Sequence, residues 1–226
     1  MNKTKTFVSF IGSRGSGKTT IASKLVENLE SLGFCTLRQH RGLNEGMTLK
    51  GFYNAIVLWR YFDIEIMKKI GFCGRSRRLI PSLYRLYLPL AFNKDVLQLR
   101  NAKDVLIYDS NFLRGMMQAF YKDKIELNEF VGFFKRKILP RIDTFLLVVV
   151  DTDPEIAIER WLARDKVSLT LENLEINIRD RIAQKCVVKT ITSALIKVPN
   201  VKVLTINGSD PVDKNAKQIL KELIGR

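Results

Sequence analysis

Residues 12–19 read G-S-R-G-S-G-K-T and match the pattern G-x-x-x-x-G-K-[ST]. In this pattern the glycines let backbone N–H groups face a phosphate, the lysine reaches the β- and γ-phosphates, and the last hydroxyl can ligate Mg²⁺. The apolar run 7–11 precedes the loop, which favours a nucleotide phosphate site over a glycine-rich turn that binds nothing. The residues predicted to bind ATP are Gly12, Ser13, Arg14, Gly15, Ser16, Gly17, Lys18, Thr19 and Thr20, and Lys18 is also predicted to be catalytic.

A second candidate is Asp109, which follows the apolar run 105–108. A carboxylate at the end of a strand beside the loop would hold Mg²⁺ through water, next to Thr19 as the ion's other protein ligand. The alternative is that Asp109 caps the following helix. We predict Asp109 as a catalytic and metal-site residue.

The third candidate is the pair Arg160 and Arg164. Arginines four residues apart lie on one face of a helix. Two guanidinium groups there could close over a transferring phosphoryl group and offset its developing charge. The alternative is a pair of surface arginines without a ligand.

Five short apolar runs separated by helical patterns must position these groups. The predicted strands are residues 7–11, 34–38, 105–109, 144–150 and 201–206. Their lack of polar alternation is typical of strands covered on both faces, which predicts a parallel α/β sandwich. Asp-Pro pairs at 153–154 and 210–211 predict two helix starts, and apolar residues at 171, 174, 178 and 182 predict a long helix packed on the sheet.

Residues 146–164, from the fourth strand through Asp153-Pro154-Glu155 to Arg164, resemble thymidylate kinases and related nucleoside monophosphate kinases. The resemblance implies an α/β three-layer sandwich with a five-stranded parallel sheet. It also implies transfer of the γ-phosphoryl of ATP with Mg²⁺, and a lid at about residues 160–170 carrying the two arginines. We therefore expect one domain over residues 1–226, with a basic helical acceptor-side region at about 47–103.

The region expected to hold the acceptor differs from that family. Residues 38–42 read R-Q-H-R-G where the family has Arg-Glu-Pro-Gly, and no carboxylate follows the second strand directly. An acceptor that is already a phosphate needs cations and no base, whereas a hydroxyl acceptor would need Asp109, Glu45 or His40 as base. The residues predicted to bind the acceptor are Arg38, His40, Arg41, Asn111 and Arg114.

The charge is strongly basic, with a net +15, and residues 50–103 hold 11 basic and three acidic side chains. Such a block fits a small anionic substrate, an anionic membrane surface or a solvated basic face. No nucleic-acid-binding motif is present, which argues against a nucleic acid partner. A homodimer is compatible with the sequence. The three scattered cysteines predict buried structural thiols in a reducing compartment, and without a signal or membrane-spanning stretch we expect a cytoplasmic protein.

Two classes of function remain at this point. The first is a kinase that moves the γ-phosphoryl of ATP to a small anionic acceptor, most simply a nucleoside monophosphate, or to a non-nucleotide hydroxyl of a sugar or glycan. The second is a nucleotide-dependent switch or binding module. The paired lid arginines favour the kinase, and a guanine-reading Asn-Lys-x-Asp is excluded at Asn93-Lys94 because Val96 occupies the acidic position.

Overall fold

A computed structural model describes residues 6–39, 104–108, 117, 120, 121, 125–166 and 168–225. Several predicted site residues lie outside these ranges, namely His40, Arg41, Asp109, Asn111 and Arg114, as does the basic region at 47–103.

The centre of the fold is a five-stranded parallel sheet with the order β2-β3-β1-β4-β5. Its central strand β1 pairs with β3 on one side and with β4 on the other. The sequence-based predictions of the five strands and of the sandwich are confirmed. The strands are β1 (Thr6–Ile11), β2 (Thr36–Gln39), β3 (Val105–Tyr108), β4 (Thr144–Asp151) and β5 (Val201–Asn207).

Helices cover both faces of the sheet. They are α1 (Lys18–Ser31), α2 (Leu127–Phe133), α3 (Pro154–Asp165), α4 (Leu171–Leu195) and α5 (Val212–Ile224), and α2 continues through a π turn at Phe134–Ile138 and a 3₁₀ turn at Leu139–Arg141. Helices α1 and α5 share a core with one face, and α2 and α4 share a core with the other. None of the helices in the described ranges is long and apolar enough to cross a membrane.

Side chains along β1 point alternately into these two cores. Phe7 and Ile11 enter the core with α2 and α4, whereas Val8 and Phe10 enter the core with α1 and α5. The β1 side chains from Phe7 to Ile11 are all buried, as expected for a central strand of a parallel sheet between two helical layers. This burial fixes the register of β1, and with it the position of the loop that follows Ile11.

One of the two predicted helix starts is confirmed. Asp153 caps α3 by accepting a hydrogen bond from the backbone N–H of Glu155 at 2.9 Å, and Pro154 is the first helical residue. The other prediction was one residue off. Pro211 has extended backbone angles and occupies the cap position itself, so α5 begins at Val212, while Asp210 pairs with Lys214.

The long helix α4 exists as predicted, but its buried face was assigned wrongly. Leu171 is 82% exposed and Ile182 is 51% exposed. The buried residues are Arg181, Ile191 and Leu195. The expectation of buried thiols was also wrong for two cysteines, because Cys35 and Cys186 are exposed.

Candidate active site at the loop between β1 and α1

The loop after β1 wraps the amino end of α1. Gly15 and Gly17 both have φ of +88°, in the left-handed region that glycine adopts without strain. Gly15 also has no room for a side chain, because a Cβ there would lie 1.9 Å from the carbonyl oxygen of Ala157. The glycines are therefore required by backbone conformation and by close packing on α3.

Lys18 holds its ammonium group inside this loop. Its Nζ donates to the carbonyl oxygens of Gly12 and Ser13, at 3.0 and 2.6 Å, and approaches the Ser16 hydroxyl at 3.2 Å. All three acceptors belong to the loop itself. The positive charge is thus centred over the segment whose backbone would surround a phosphate.

The amino end of α1 is suited to an anion. Gly17 occupies the cap position and therefore offers no side chain to the first turn. The backbone N–H groups of a first helical turn and the helix dipole favour negative charge. The exposed Thr19 and Thr20 follow in the first turn. The loop, Lys18 and this helix end could hold the phosphates of a nucleotide, and the Thr19 hydroxyl could be one ligand of Mg²⁺, as the sequence predicts.

Two further turns, one after β4 and one after β5, lie next to the loop. The buried Thr152, just after β4, donates from Oγ1 to the carbonyl of Ser16 at 3.4 Å. Gly208, just after β5, donates its N–H to the carbonyl of Asp151 at 2.7 Å. The ends of β1, β4 and β5 therefore meet at the loop, at the sheet edge where parallel α/β proteins bind ligands.

The two arginines predicted to act on the phosphoryl group lie on α3 beside the loop. Arg160 donates from Nη1 to the carbonyl of Gly208 at 2.8 Å. Arg164 donates from Nε to Asp165 Oδ1 at 2.8 Å. Both side chains thus have protein partners in this arrangement, and their role at the transferring group stays a prediction.

A cluster at the outer turn of the loop was not predicted. Arg14 forms an ion pair with Asp165 and lies over the ring of Trp161, with its Cζ 5.0 Å from the ring centroid. Arg181 lies near the same ring, at 5.5 Å, and donates from Nη1 to the carbonyl of Arg14 at 2.5 Å. The cluster ties the loop to α3 and α4.

Asp165 is the charged centre of that cluster. The hydrogen bond from Arg164 lowers the pKa of the Asp165 carboxyl, and the hydrogen bond from the Trp161 indole and the charge of Arg14 add to this effect. Partial burial of the carboxyl raises its pKa and so offsets part of this lowering. The carboxylate is therefore ionised at neutral pH.

A cavity of about 640 Å³ opens between the loop, the ends of β1 and β4, and α4. This volume lies within the range of small-molecule sites. Among the described residues, its wall carries apolar groups such as Met117 and Val149 together with more cations than carboxylates. The described lining cations are Arg14, Lys18, Arg181, Lys185 and Lys189, and the described lining carboxylates are Asp151 and Asp180.

Of the residues predicted to bind the acceptor, one lies in the described part of the chain. Arg38 is in β2, one residue before the end of that strand. Its backbone pairs with Ile107 of β3, which places Arg38 near the carboxyl edge of the sheet. No group of three or more metal-ligating residues occurs within the described ranges.

Sequence reasoning missed Arg181 and Trp161. The signal for Arg181 was its spacing, since 174, 178, 181, 188, 191 and 195 continue one helical face that ends in the buried Ile191 and Leu195. An arginine on the buried face of a helix requires a partner. Trp161 carried no such signal, because the two guanidinium groups near its ring belong to other elements, Arg14 to the loop and Arg181 to α4.

No protein-family model matches the chain, and no curated protein matches it. Solved structures with the same fold include three of deoxyadenosine kinase from M. mycoides, each 15% identical in sequence. The first, with the products dCMP and a flexible dCDP, has a TM-score of 0.54 and covers 97% of this chain and 100% of its own. The second, with dCTP, has a TM-score of 0.52 and the same coverage. The third, with dATP, has a TM-score of 0.54 and covers 96% and 98%.

This likeness establishes the fold. The described part of the chain is an α/β sandwich with the same fold as these solved structures. The three similar structures are of a deoxyadenosine kinase, so the more specific resemblance to thymidylate kinases stays a prediction.

Proposed function

We propose that the protein is an ATP-dependent kinase that transfers the γ-phosphoryl group to a nucleoside or nucleoside monophosphate. The observation that carries this proposal is Lys18, whose ammonium group lies on the carbonyls of Gly12 and Ser13 in a loop opening α1. A lysine in this position, backed by a parallel sheet, is the arrangement that binds the β- and γ-phosphates in P-loop enzymes.

In this proposal, three groups of residues have separate roles in phosphoryl transfer. Residues 12–20 bind the triphosphate through backbone N–H groups and Lys18. Thr19 and Asp109 would hold Mg²⁺, which when bound neutralises charge on the β- and γ-phosphate oxygens. Arg160 and Arg164 would leave their present partners and stabilise the charge that develops in the transition state.

The acceptor class is supported by two observations. The similar deoxyadenosine kinase structures contain deoxynucleotides. The cavity beside the loop has the size of a small-molecule site, and its described lining residues include more cations than carboxylates. A nucleoside would need a base for its hydroxyl, whereas a monophosphate would be held by cations such as Arg38. A nucleoside monophosphate as acceptor is the more specific form of the proposal, and it follows from the resemblance to thymidylate kinases.

The test is ADP release by the purified protein with ATP and Mg²⁺, measured against deoxynucleosides, deoxynucleoside monophosphates and sugars. Acceptor-dependent ADP release with a nucleoside or monophosphate is expected, and the preferred acceptor decides between the two forms. ATP binding with only slow, acceptor-independent hydrolysis would contradict the kinase proposal. That outcome would instead support a nucleotide-dependent switch.

A further inference from the structure

A buried arginine holds the outer turn of the phosphate loop. Arg181 is only 6% exposed, although it lies on a helix whose other charged residues face solvent. Its Nη1 donates to the backbone carbonyl of Arg14 at 2.5 Å. A guanidinium is retained in such a place when hydrogen bonds compensate for its lost hydration. The bond to the loop supplies part of that compensation.

Trp161 connects the same arginine to the loop by a second route. The Arg181 guanidinium lies 5.5 Å from the centroid of the indole, and the Arg14 guanidinium lies 5.0 Å from it. The indole Nε1 donates to Asp165 Oδ2 at 2.7 Å, which fixes the ring. Arg14 pairs with that carboxylate as well. Both cations are thus placed by one aromatic ring.

The turn held in this way is the one that packs most tightly on α3. Gly15 follows Arg14 directly, and a Cβ there would overlap the carbonyl of Ala157 and approach the backbone nitrogen of Trp161 to 3.2 Å. A small displacement of α3 or α4 would therefore move the loop. Its N–H groups must point inward to bind phosphate, so the position of this turn bears on nucleotide affinity.

We infer that Arg181 is a positioning residue of the phosphate loop. Together with Trp161 it forms a brace that fixes the turn at Arg14 and Gly15 against α3 and α4, so that the loop is already shaped for a nucleotide before binding. Preorganisation of this kind raises affinity because less order has to be imposed on binding. The role in nucleotide affinity rests on the proposed function, whereas the brace itself does not.

The test compares three variants of the full-length protein. Arg181→Gln removes the charge and the guanidinium fork, and Arg181→Lys keeps the charge but has no planar fork to serve the carbonyl and the ring together. Arg179→Gln is the matched control, because Arg179 is an exposed arginine of the same helix that pairs with Glu175 at 3.8 Å. Each variant is measured for thermal midpoint, ATP dissociation constant by calorimetry, and amide hydrogen exchange in a peptide covering residues 12–17.

Arg181→Gln is expected to raise the ATP dissociation constant about tenfold, the order that follows from losing one hydrogen bond to a charged group. Arg181→Lys should also weaken ATP binding while it keeps a thermal midpoint near that of the wild type. Exchange of the loop amides should become faster in both variants, and Arg179→Gln should match the wild type. Turnover at saturating ATP should change much less than KM for ATP, because the inferred role of Arg181 is to hold the loop in place before the nucleotide binds.

Unchanged ATP affinity and unchanged loop exchange in Arg181→Lys would overturn the inference, even if Arg181→Gln failed to fold. A lower thermal midpoint with wild-type affinity would do the same, since it would reveal a merely structural residue. If the wild-type protein bound no ATP, the proposed function would fail. The exchange measurement without nucleotide would still decide whether the brace exists.

Discussion

The backbone of Gly15 lies directly against the carbonyl oxygen of Ala157, so closely that a Cβ at position 15 would be 1.9 Å from that oxygen. No side-chain motion can relieve such a contact, because both partners are backbone. The loop between β1 and α1 and helix α3 are therefore packed backbone to backbone at this point, and α3 carries Arg160, Trp161 and Arg164.

Gly15→Ala tests this contact. We expect the alanine to push the loop away from α3 and to weaken ATP binding by at least about tenfold, since the shaped backbone is what binds phosphate. Gly33→Ala is a matched control, because Gly33 has φ of +80° but no atom near its Cβ position. Both variants bear the left-handed strain, of about 1–2 kcal/mol. Equal ATP affinity in the two variants, measured by calorimetry, would contradict the prediction.

Lys18→Ala should remove phosphoryl transfer while leaving the fold intact. The ammonium group contacts loop carbonyls and is not part of either core, so the thermal midpoint should change little. The rate of ADP release should fall by more than about 100-fold, as when one preorganised group facing the transition state is removed. Lys24→Ala, in the same helix but paired with Glu27 at 3.1 Å, should retain wild-type rates. Substantial activity in Lys18→Ala would argue against the assigned phosphate site.

Local patterns predicted the strands and the position of the loop between β1 and α1. The strand residues Phe7 and Val8 are buried on opposite faces, so a short run that is apolar except at Ser9 was sufficient to predict β1. The loop was predictable because its glycines and the flanking strand and helix lie in one short stretch of sequence, whereas its phosphate-binding role stays a prediction. The cap at Asp153 was predictable for the same reason, since its hydrogen bond reaches only Glu155.

Contacts between distant segments were not predictable. Arg181 and Arg14 are 167 residues apart, and only the folded sheet brings α4 to the loop. Without that contact, the apolar residues Leu171 and Ile182 gave a plausible but wrong buried face for α4. At Asp210-Pro211 the order of residues fitted a helix start, yet the extended backbone of Pro211 moved the start to Val212.

The ion pair between Arg164 and Asp165 at the end of α3 makes the free energy of unfolding depend on pH in the acidic range. Because Arg164 and the Trp161 indole lower the pKa of Asp165, the folded state binds a proton there less readily than the unfolded state. This stabilisation is fully present above the ordinary carboxyl pKa, about 3.9, and is lost as the pH falls through the lowered value. Asp165→Asn should therefore have a lower free energy of unfolding in urea than the wild type at pH 7. This difference in free energy should become smaller below about pH 4. A difference that stayed constant down to pH 3 would refute the assigned cause.

Arg160 and Arg164 should contribute to turnover more than to ATP affinity. Arg164 is bound to a carboxylate at the protein surface, and such exposed pairs are weak, so its release toward a phosphoryl group costs little. Arg160 is held by the neutral carbonyl of Gly208, next to the phosphate loop. We expect Arg160→Ala and Arg164→Ala each to lower kcat by roughly 10- to 100-fold, with a smaller change in the ATP dissociation constant. Arg179→Ala on α4 is the control that should leave both quantities unchanged. If kcat stayed at the wild-type level while ATP binding weakened, the two arginines would be nucleotide-binding groups without a role in the transition state.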